Sequence, residues 1–180
     1  MEASAQDFFT TLRKRFSHLP IIAEDLGIIT DNVREIMRHF EFPGMKVLQF
    51  AFSGDISTNP YAPHNHVKDC IIYTGTHDNN TTKGWFERDA TKEERENLFH
   101  YLGREVSVQN INWEFIKMSM MSVANLTIIP MQDILGLGEE ARMNRPATTE
   151  GNWVWRLLPD QLTPALTQRL REMTEIYGRS

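Results

Sequence analysis

Four short apolar runs recur along this chain, and segments with helical periodicity separate them. The runs span residues 21–23, 45–52, 69–74 and 126–131. Short runs without apolar–polar alternation are typical of strands that are covered on both faces of a parallel sheet. Because such strands alternate here with helices, the pattern predicts an α/β fold with about four βα units and parallel strands.

Helix-capping residues support this alternation. Ser4, Thr30 and Thr163-Pro164 each stand where a helix cap is expected, and Thr91 with Glu94 forms a capping box. The predicted helices span about 5–16, 30–40, 91–103, 113–124 and 163–178. Packed against the apolar runs, these helices would cover the sheet.

The composition fits a single globular domain over residues 1–180. The chain is 41% hydrophobic and 24% charged, with a net charge of −5 that offers no basic footprint for nucleic acid. The first residues are acidic and polar, and no apolar run approaches the roughly 18 residues of a membrane span. The single cysteine, Cys70, fits a reducing compartment. We therefore expect a cytoplasmic protein that binds neither nucleic acid nor membrane.

Two long irregular segments, 53–68 and 139–156, exceed the length of simple connectors. A functional loop is the favoured interpretation of each, with a tolerated surface excursion as the alternative. His64 and His66 lie two residues apart in the first segment, near Asp55 and Asp69, so a metal site there stays open as a minor alternative. The aromatic residues are interpreted mainly as core, with sugar-stacking faces as the second possibility.

Polar side chains collect where the predicted strands end. They are Glu24-Asp25, Gln49, His77-Asp78 and Gln132-Asp133. Barrel enzymes keep their chemistry at this edge of a parallel sheet. The pattern therefore indicates a site at the carboxyl ends of the strands.

Glu24 and Asp78 are the first candidates for chemistry at that edge. Cleavage of a bond between sugars requires one protonated carboxylic acid for the leaving oxygen and carboxylates that stabilise positive charge at the anomeric carbon. The neighbouring His77 could hold a sugar hydroxyl. The alternative is that both acids are merely solvated or cap helices. The chain has no glycine-rich phosphate loop, no cysteine pair for zinc and no Gly-x-Ser-x-Gly elbow.

Five sequence blocks together resemble one known family. They are AEDLG at 23–27, PGMKVLQFAF at 43–52, YTGTHDN at 73–79, ARMN at 141–144 and GNWVWRLLP at 151–159. In this order the blocks are similar to those of the 4-α-glucanotransferases of the amylomaltase or disproportionating-enzyme type. The resemblance implies a (β/α)₈ TIM barrel of the α-amylase superfamily, of which this chain would form the C-terminal half. It also implies retaining transfer of α-1,4-glucan units between maltooligosaccharides, without a metal or organic cofactor.

The resemblance also implies roles for individual residues. By position, Glu24 would be the general acid/base and Asp78 the carboxylate that stabilises the transition state. His77 would hold sugar hydroxyls where the bond breaks. The more weakly matched substrate-binding candidates are Phe50, Asp55, Asn144 and Trp153.

One expected element is missing from the chain. In the family that it resembles, the nucleophilic aspartate lies in an Arg-x-Asp-His type of motif, and no such motif occurs in these 180 residues. We therefore expect the isolated chain to be inactive or nearly so. A half-barrel would also expose its outer strands, 21–23 and 126–131, which predicts self-association or pairing with an N-terminal half.

Two other functions stay open at this stage. The chain could be a glucan-binding or interaction module that uses its aromatic residues, among them Phe50, Tyr61, Trp153 and Trp155, without breaking a bond. It could instead belong to a plain α-glucan hydrolase, in which water rather than a sugar hydroxyl resolves the intermediate.

Overall fold

The computed structural model describes residues 4–16 and 19–179. Its strands are β1 (Gly44–Val47), β2 (Cys70–Tyr73) and β3 (Leu126–Ile128). Its helices are α1 (Ala5–Arg15), α2 (Asp31–Phe40), α3 (Thr82–Gly84), α4 (Lys92–Leu102), α5 (Ile111–Met121), α6 (Met131–Leu135) and α7 (Pro164–Ile176). A single π-helical turn, Trp85–Asp89, follows α3, and short 3₁₀ turns lie at Leu48–Phe50, Pro63–Asn65, Glu139–Ala141 and Pro159–Gln161.

The three strands form one parallel sheet in the order β1-β2-β3. Gly44 is opposite Cys70, and Ile71 is opposite Leu126, so the carboxyl ends of all three strands lie at one edge. Helices α3, α4 and α5 lie in the connection from β2 to β3, whereas the connection from β1 to β2 contains only the 3₁₀ turns Leu48–Phe50 and Pro63–Asn65. Both connections are long, as parallel neighbours require. The predicted α/β class with parallel strands is confirmed.

The prediction of a strand at 21–23 is wrong. This segment has no regular secondary structure, and among the described residues its backbone pairing with the sheet region is one hydrogen bond, from the Ala23 amide to the Pro43 carbonyl at 2.9 Å. Ile22 is 40% exposed rather than covered on both faces. A short apolar run becomes a strand only when a neighbouring segment supplies a ladder of hydrogen bonds. Here, in the described part of the chain, the segment before β1 supplies only the acceptor carbonyl of Pro43.

The strands predicted at 45–52 and 126–131 are also shorter than expected. After Val47 the chain tightens into the 3₁₀ turn Leu48–Phe50, and β3 ends at Ile128, two residues before Pro130. Because proline cannot donate to a ladder, Pro130 instead precedes the first residue of α6. The apolar residues beyond β1 are still used, since Leu48 and Phe52 are fully buried.

The predicted helix caps are largely confirmed. Ser4 accepts from the Asp7 amide, Thr91 and Glu94 form the reciprocal capping box, and Thr163 accepts from the Leu166 amide. Thr30 stands at the cap position of α2, but its side chain makes no cap hydrogen bond. Local sequence therefore determines where most of these helices begin.

The main core lies on the side of the sheet that faces α4 and α5. Phe52, Trp85 and Phe115 meet there, with ring centroids 5.3 to 6.3 Å apart. Leu98 and Ile111 are fully buried around them. Most of the large aromatic side chains at this face are thus core, as predicted. Within the described residues, no helix is both long and apolar enough to cross a membrane.

Candidate functional site

An open cleft of about 990 Å³ lies at the carboxyl ends of the strands. It is lined by Ile22, Glu24, Leu26, Gly27, Met45, Phe50, Tyr61, Tyr73, Gly75, Thr76, His77, Asp78, Asn79, Ile128 and Pro130. Every strand contributes to its wall, either directly or through the residues that follow the strand. Four of the seven predicted site residues, Glu24, Phe50, His77 and Asp78, lie in this lining.

Glu24 is exposed on one wall and lies near Tyr73, the last residue of β2. Burial raises the pKa of the Tyr73 hydroxyl, and the negative charge of Glu24 raises that pKa further. The adjacent Asp25 anchors this part of the chain, because its Oδ1 accepts a 2.6 Å hydrogen bond from the Met45 amide of β1. Asp25 therefore fixes the backbone from which Glu24 projects.

Gly44 makes this anchoring possible. A Cβ atom at residue 44 would lie 2.5 Å from Oδ2 of Asp25, which is closer than any real contact. The sequence pattern groups Glu24 and Asp25 as one polar pair and does not indicate the anchoring role of Asp25 that the structure shows. The glycine at the start of β1, about twenty residues further along the chain, was the available signal.

His77 and Asp78 lie in a turn that closes on itself immediately after β2. Asn79 Oδ1 accepts from both the amide and the hydroxyl of Thr76, at 2.9 and 2.8 Å. The side chains of His77 and Asp78 are about half exposed, and His77 Nε2 is 3.3 Å from Asp78 Oδ1. The turn thus presents an imidazole and a carboxylate side by side to the cleft.

The segment 142–153 packs against this turn and brings two more predicted residues to it. The Asn144 side-chain amide donates to Asp78 Oδ1 at 2.6 Å, and its backbone amide donates to the His77 carbonyl at 3.0 Å. The Trp153 ring lies 5.1 Å from the His77 ring. Asn144 therefore meets Asp78 directly, a contact between residues 66 positions apart that spacing could not reveal.

Trp153 has an unusual backbone for its size. Its φ is +61°, a left-handed conformation that bulky side chains rarely adopt, and its amide donates to the Met143 carbonyl at 2.7 Å. The side chain lies beside His77, and the residue is 53% exposed. It lines a smaller cavity of about 240 Å³ that shares Thr76, His77, Asn79 and Pro130 with the main cleft.

Phe50 and Tyr61 form an aromatic corner of the cleft, with ring centroids 5.4 Å apart in a T-shaped contact. The Lys46 ammonium group also lies over Tyr61, 5.4 Å from its ring centroid. The sequence suggests Tyr61 only as a glucan-stacking candidate of a binding module. The structure places it beside Phe50 in the same lining.

Asp55 does not lie in the lining of the cleft. It is an exposed turn residue, and its carboxylate accepts from the Ser57 amide, the Ser57 hydroxyl and the Thr58 hydroxyl. The hydrogen bonds from Ser57 and Thr58 hold the pKa of Asp55 below its usual value. Local hydrogen bonding thus holds the carboxylate on its own loop, and the assignment of Asp55 to substrate binding stays a prediction.

The two histidines of the 53–68 segment bind protein groups. His64 contacts the Tyr101 hydroxyl at 3.1 Å, and His66 contacts Ser122 Oγ and the Tyr61 carbonyl at 2.8 and 2.9 Å. Burial lowers the pKa of His66. Across the part of the chain that the structure describes, no group of three or more His, Cys, Asp or Glu residues is arranged to hold a metal ion.

A buried carboxylate supports the site from behind. Asp133 is 1% exposed and accepts from the Thr74 hydroxyl, the Thr82 amide and the Thr82 hydroxyl at 2.5 to 2.8 Å. Burial raises the pKa of this carboxyl, and the hydrogen bonds from Thr74 and Thr82 oppose that rise. Thr74 follows β2 directly, so Asp133 ties the strand that leads to Asp78 to α3 and α6.

Fold and cleft together define an α/β protein with two carboxylates in one cleft at the carboxyl ends of parallel strands. Comparison with known proteins narrows this class. The model of the 4-alpha-glucanotransferase family matches residues 1–162. The chain belongs to this family.

Individual relatives agree with the family match. A 4-alpha-glucanotransferase from Synechocystis sp. is 48% identical over 179 residues, covering 98% of this chain and 35% of that protein. One from Thermus thermophilus is 44% identical over 187 residues, covering 99% of this chain and 37% of that protein. The amylomaltase from Streptococcus agalactiae, solved in complex with acarbose, superposes with a TM-score of 0.91 at 35% identity, covering 99% of this chain and 36% of that one. The chain thus spans about a third of the length of these relatives.

Proposed function

We propose that this chain supplies part of the active site of a 4-α-glucanotransferase that transfers α-1,4-glucan units from a donor to an acceptor sugar with retention. One observation carries the proposal: Glu24 and Asp78 lie in the lining of one cleft, with His77 between a carboxylate and an aromatic ring. Enzymes that cleave glycosidic bonds use at least two carboxyl groups on either side of the bond that breaks.

In this proposal Glu24 is the general acid/base. It donates a proton to the leaving glycosidic oxygen in the first half-reaction and removes one from the acceptor 4-hydroxyl in the second. Asp78 stabilises the oxocarbenium-like transition state. The covalent step needs a nucleophilic carboxylate roughly 5 Å from the acid, and we propose that it comes from the part of the enzyme that corresponds to the remaining two thirds of the relatives.

The walls of the cleft suit a chain of glucose units. Phe50 and Tyr61 offer apolar ring faces, while His77 and Asp78 offer a hydrogen-bond donor and acceptors for hydroxyl groups. Trp153 extends the ring surface beyond His77, which is the side that we assign to the acceptor. We propose Asn144 as a contact of this side that acts beside Asp78.

The test uses a chimera in which this chain replaces the matching 36% of the Streptococcus agalactiae amylomaltase. Incubated with maltotriose, the chimera is expected to form glucose and longer maltooligosaccharides, which chromatography resolves. The isolated chain is expected to leave maltotriose unchanged, because it lacks the nucleophile. Glucose and maltose alone would indicate hydrolysis. A folded chimera that leaves maltotriose intact would contradict the proposal and favour a glucan-binding module.

We further propose that the sheet is part of a (β/α)₈ barrel and that its open sides are covered by the rest of that barrel or, in the isolated chain, by a second copy. Leu126 and Ile128 of the edge strand β3 are 45% and 37% exposed. A second cavity, of about 680 Å³, lies at the amino ends of the strands and is lined mainly by apolar residues: Phe9, Leu12, Phe16, Leu19, Pro20, Ile21, Ile22, Phe40, Phe42, Pro43, Ile71 and Leu126, with Arg13 and Glu41. In a complete enzyme the rest of the barrel would fill this space, whereas in the isolated chain a second copy would.

The isolated chain is therefore expected to self-associate as its concentration rises. Light scattering should give a mass at least twice that of the monomer, and Leu126→Lys should shift the chain toward monomer by placing a charge at the open edge. Ile176→Lys is the matched control, because Ile176 is 75% exposed on α7 and does not line the cavity. A well-folded monomer at high concentration would contradict the proposal.

A further inference from the structure

Arg142 joins the two segments that meet at Asp78. Its Nη2 donates to the Asp78 carbonyl at 2.7 Å, and its Nε donates to the Asn144 carbonyl at 2.9 Å. The side chain is 16% exposed, so it works from inside the structure rather than from solvent. A planar guanidinium group can hold two carbonyl oxygens at fixed relative positions, which a lysine ammonium cannot do with the same rigidity.

These bonds close a ring around the Asp78 carboxylate. Arg142 fixes the Asn144 backbone relative to Asp78, the Asn144 amide donates to the His77 carbonyl, and the Asn144 side chain donates to Asp78 Oδ1. The direction of the Asn144 side chain thus depends on where Arg142 holds its backbone. Rotation of Asp78 would break the 2.6 Å bond to Asn144.

The guanidinium group also lies within ion-pair distance of a carboxylate. Its Nη1 is 4.0 Å from Asp89 Oδ2, and the same oxygen accepts from the Asn80 side chain at 3.1 Å. Asn80 is buried, and its carbonyl accepts from Gln49, which follows β1. Arg142 is thereby connected to the framework of the sheet, and not only to the loop that carries it.

We infer that Arg142 is a positioning residue for Asp78, and that it orients the carboxylate through the backbone and amide of Asn144. The ring uses Oδ1, whereas Oδ2 has no hydrogen-bond partner among the residues that the structure describes. Oδ2 is then the oxygen that is left for the sugar. This inference rests on the proposed function for its catalytic meaning, but its structural part stands independently.

The structural part is tested on the whole chain by NMR. In the wild type, the Asn144 side-chain amide should have protected, shifted resonances because it is bonded to Asp78. Arg142→Lys should move those resonances and the Asp78 backbone amide, while leaving the core amides of α5 in place. Arg104→Lys is the matched control, since Arg104 forms a surface ion pair with Glu114. Unchanged Asn144 and Asp78 resonances in Arg142→Lys would overturn the inference.

The catalytic part is tested in the chimera. Arg142→Lys is expected to lower kcat for maltotriose by about 10- to 100-fold with little change in KM, because a misplaced carboxylate weakens transition-state stabilisation more than binding. In Arg142→Ala, added guanidinium ion should restore part of kcat, and it should not do so in Arg104→Ala. An active chimera whose kcat is indifferent to Arg142→Lys and to guanidinium would overturn the inference, whereas an inactive wild-type chimera would overturn the proposed function instead.

Discussion

Glu24→Gln is expected to lower the kcat of the chimera for maltotriose by about 100- to 10,000-fold, the range that a positioned general acid contributes. Glutamine has the same shape but cannot give a proton to the leaving oxygen or accept one from the acceptor hydroxyl. Because Glu24 is exposed and projects into the cleft, the fold should tolerate the change. Transfer rates and thermal unfolding, measured on the same preparations, check both parts.

The role of the acid can be isolated with an activated donor. With α-maltotriosyl fluoride the leaving group needs no proton, so the first release of fluoride should be much less impaired in Glu24→Gln than cleavage of maltotriose. Glu105→Gln changes an exposed glutamate away from the cleft and should behave as wild type. Full transfer activity in Glu24→Gln would refute the assignment of Glu24 as acid/base.

Asp133→Ala is expected to lower the free energy of unfolding by about 2 to 4 kcal/mol, because it leaves buried donors without an acceptor. The Thr82 amide and the hydroxyls of Thr74 and Thr82 all donate to this carboxylate. Urea unfolding of the isolated chain measures the effect. Asp160→Ala, at an exposed aspartate, is the control and should cost little.

The same residue predicts a pH dependence. Since burial raises the pKa of Asp133 in the folded state above its ordinary value of 3.8, its stabilising contribution is complete below pH 3.8 and is lost as the pH rises through the raised pKa. The amide that Asp133→Asn introduces cannot ionise, so the stability difference between the wild type and this variant should shrink with rising pH. Urea unfolding between about pH 4.5 and 8 measures this trend. A difference that stays constant over the range would show that Asp133 does not titrate there.

Stability and function meet at the end of β2. The Asp133 carboxylate accepts a hydrogen bond from the Thr74 hydroxyl. Four residues further along the chain, Asp78 lines the cleft and accepts a hydrogen bond from the Asn144 side chain. A substitution of Asp133 that lowers the free energy of unfolding only slightly should therefore disturb the geometry of the cleft without unfolding the chain. Such dependence of a site on its buried support is expected where rigid elements carry the reacting groups.

Much of the fold follows from local chemistry that is visible in the sequence. The capping residues Ser4, Thr91 and Thr163 begin their helices where predicted, because a cap is satisfied within three or four residues of itself. The apolar run at 69–74 contains β2, and the polar residues that follow it reach the cleft. Asp78 follows β2 closely and lies in a family block, whereas Glu24 follows a run that is not a strand, so only the family block AEDLG at 23–27 still singles out Glu24.

The features that the sequence did not predict correctly depend on contacts that only the folded chain makes. The apolar run at 21–23 predicts a strand, but a strand needs a ladder of several hydrogen bonds. The neighbouring segment supplies a single hydrogen bond, from the Ala23 amide to the Pro43 carbonyl. The Arg142–Asn144–Asp78 ring joins residues more than sixty positions apart. Hydrogen bonds of that range are fixed by how elements pack, and no local pattern of residues encodes the packing.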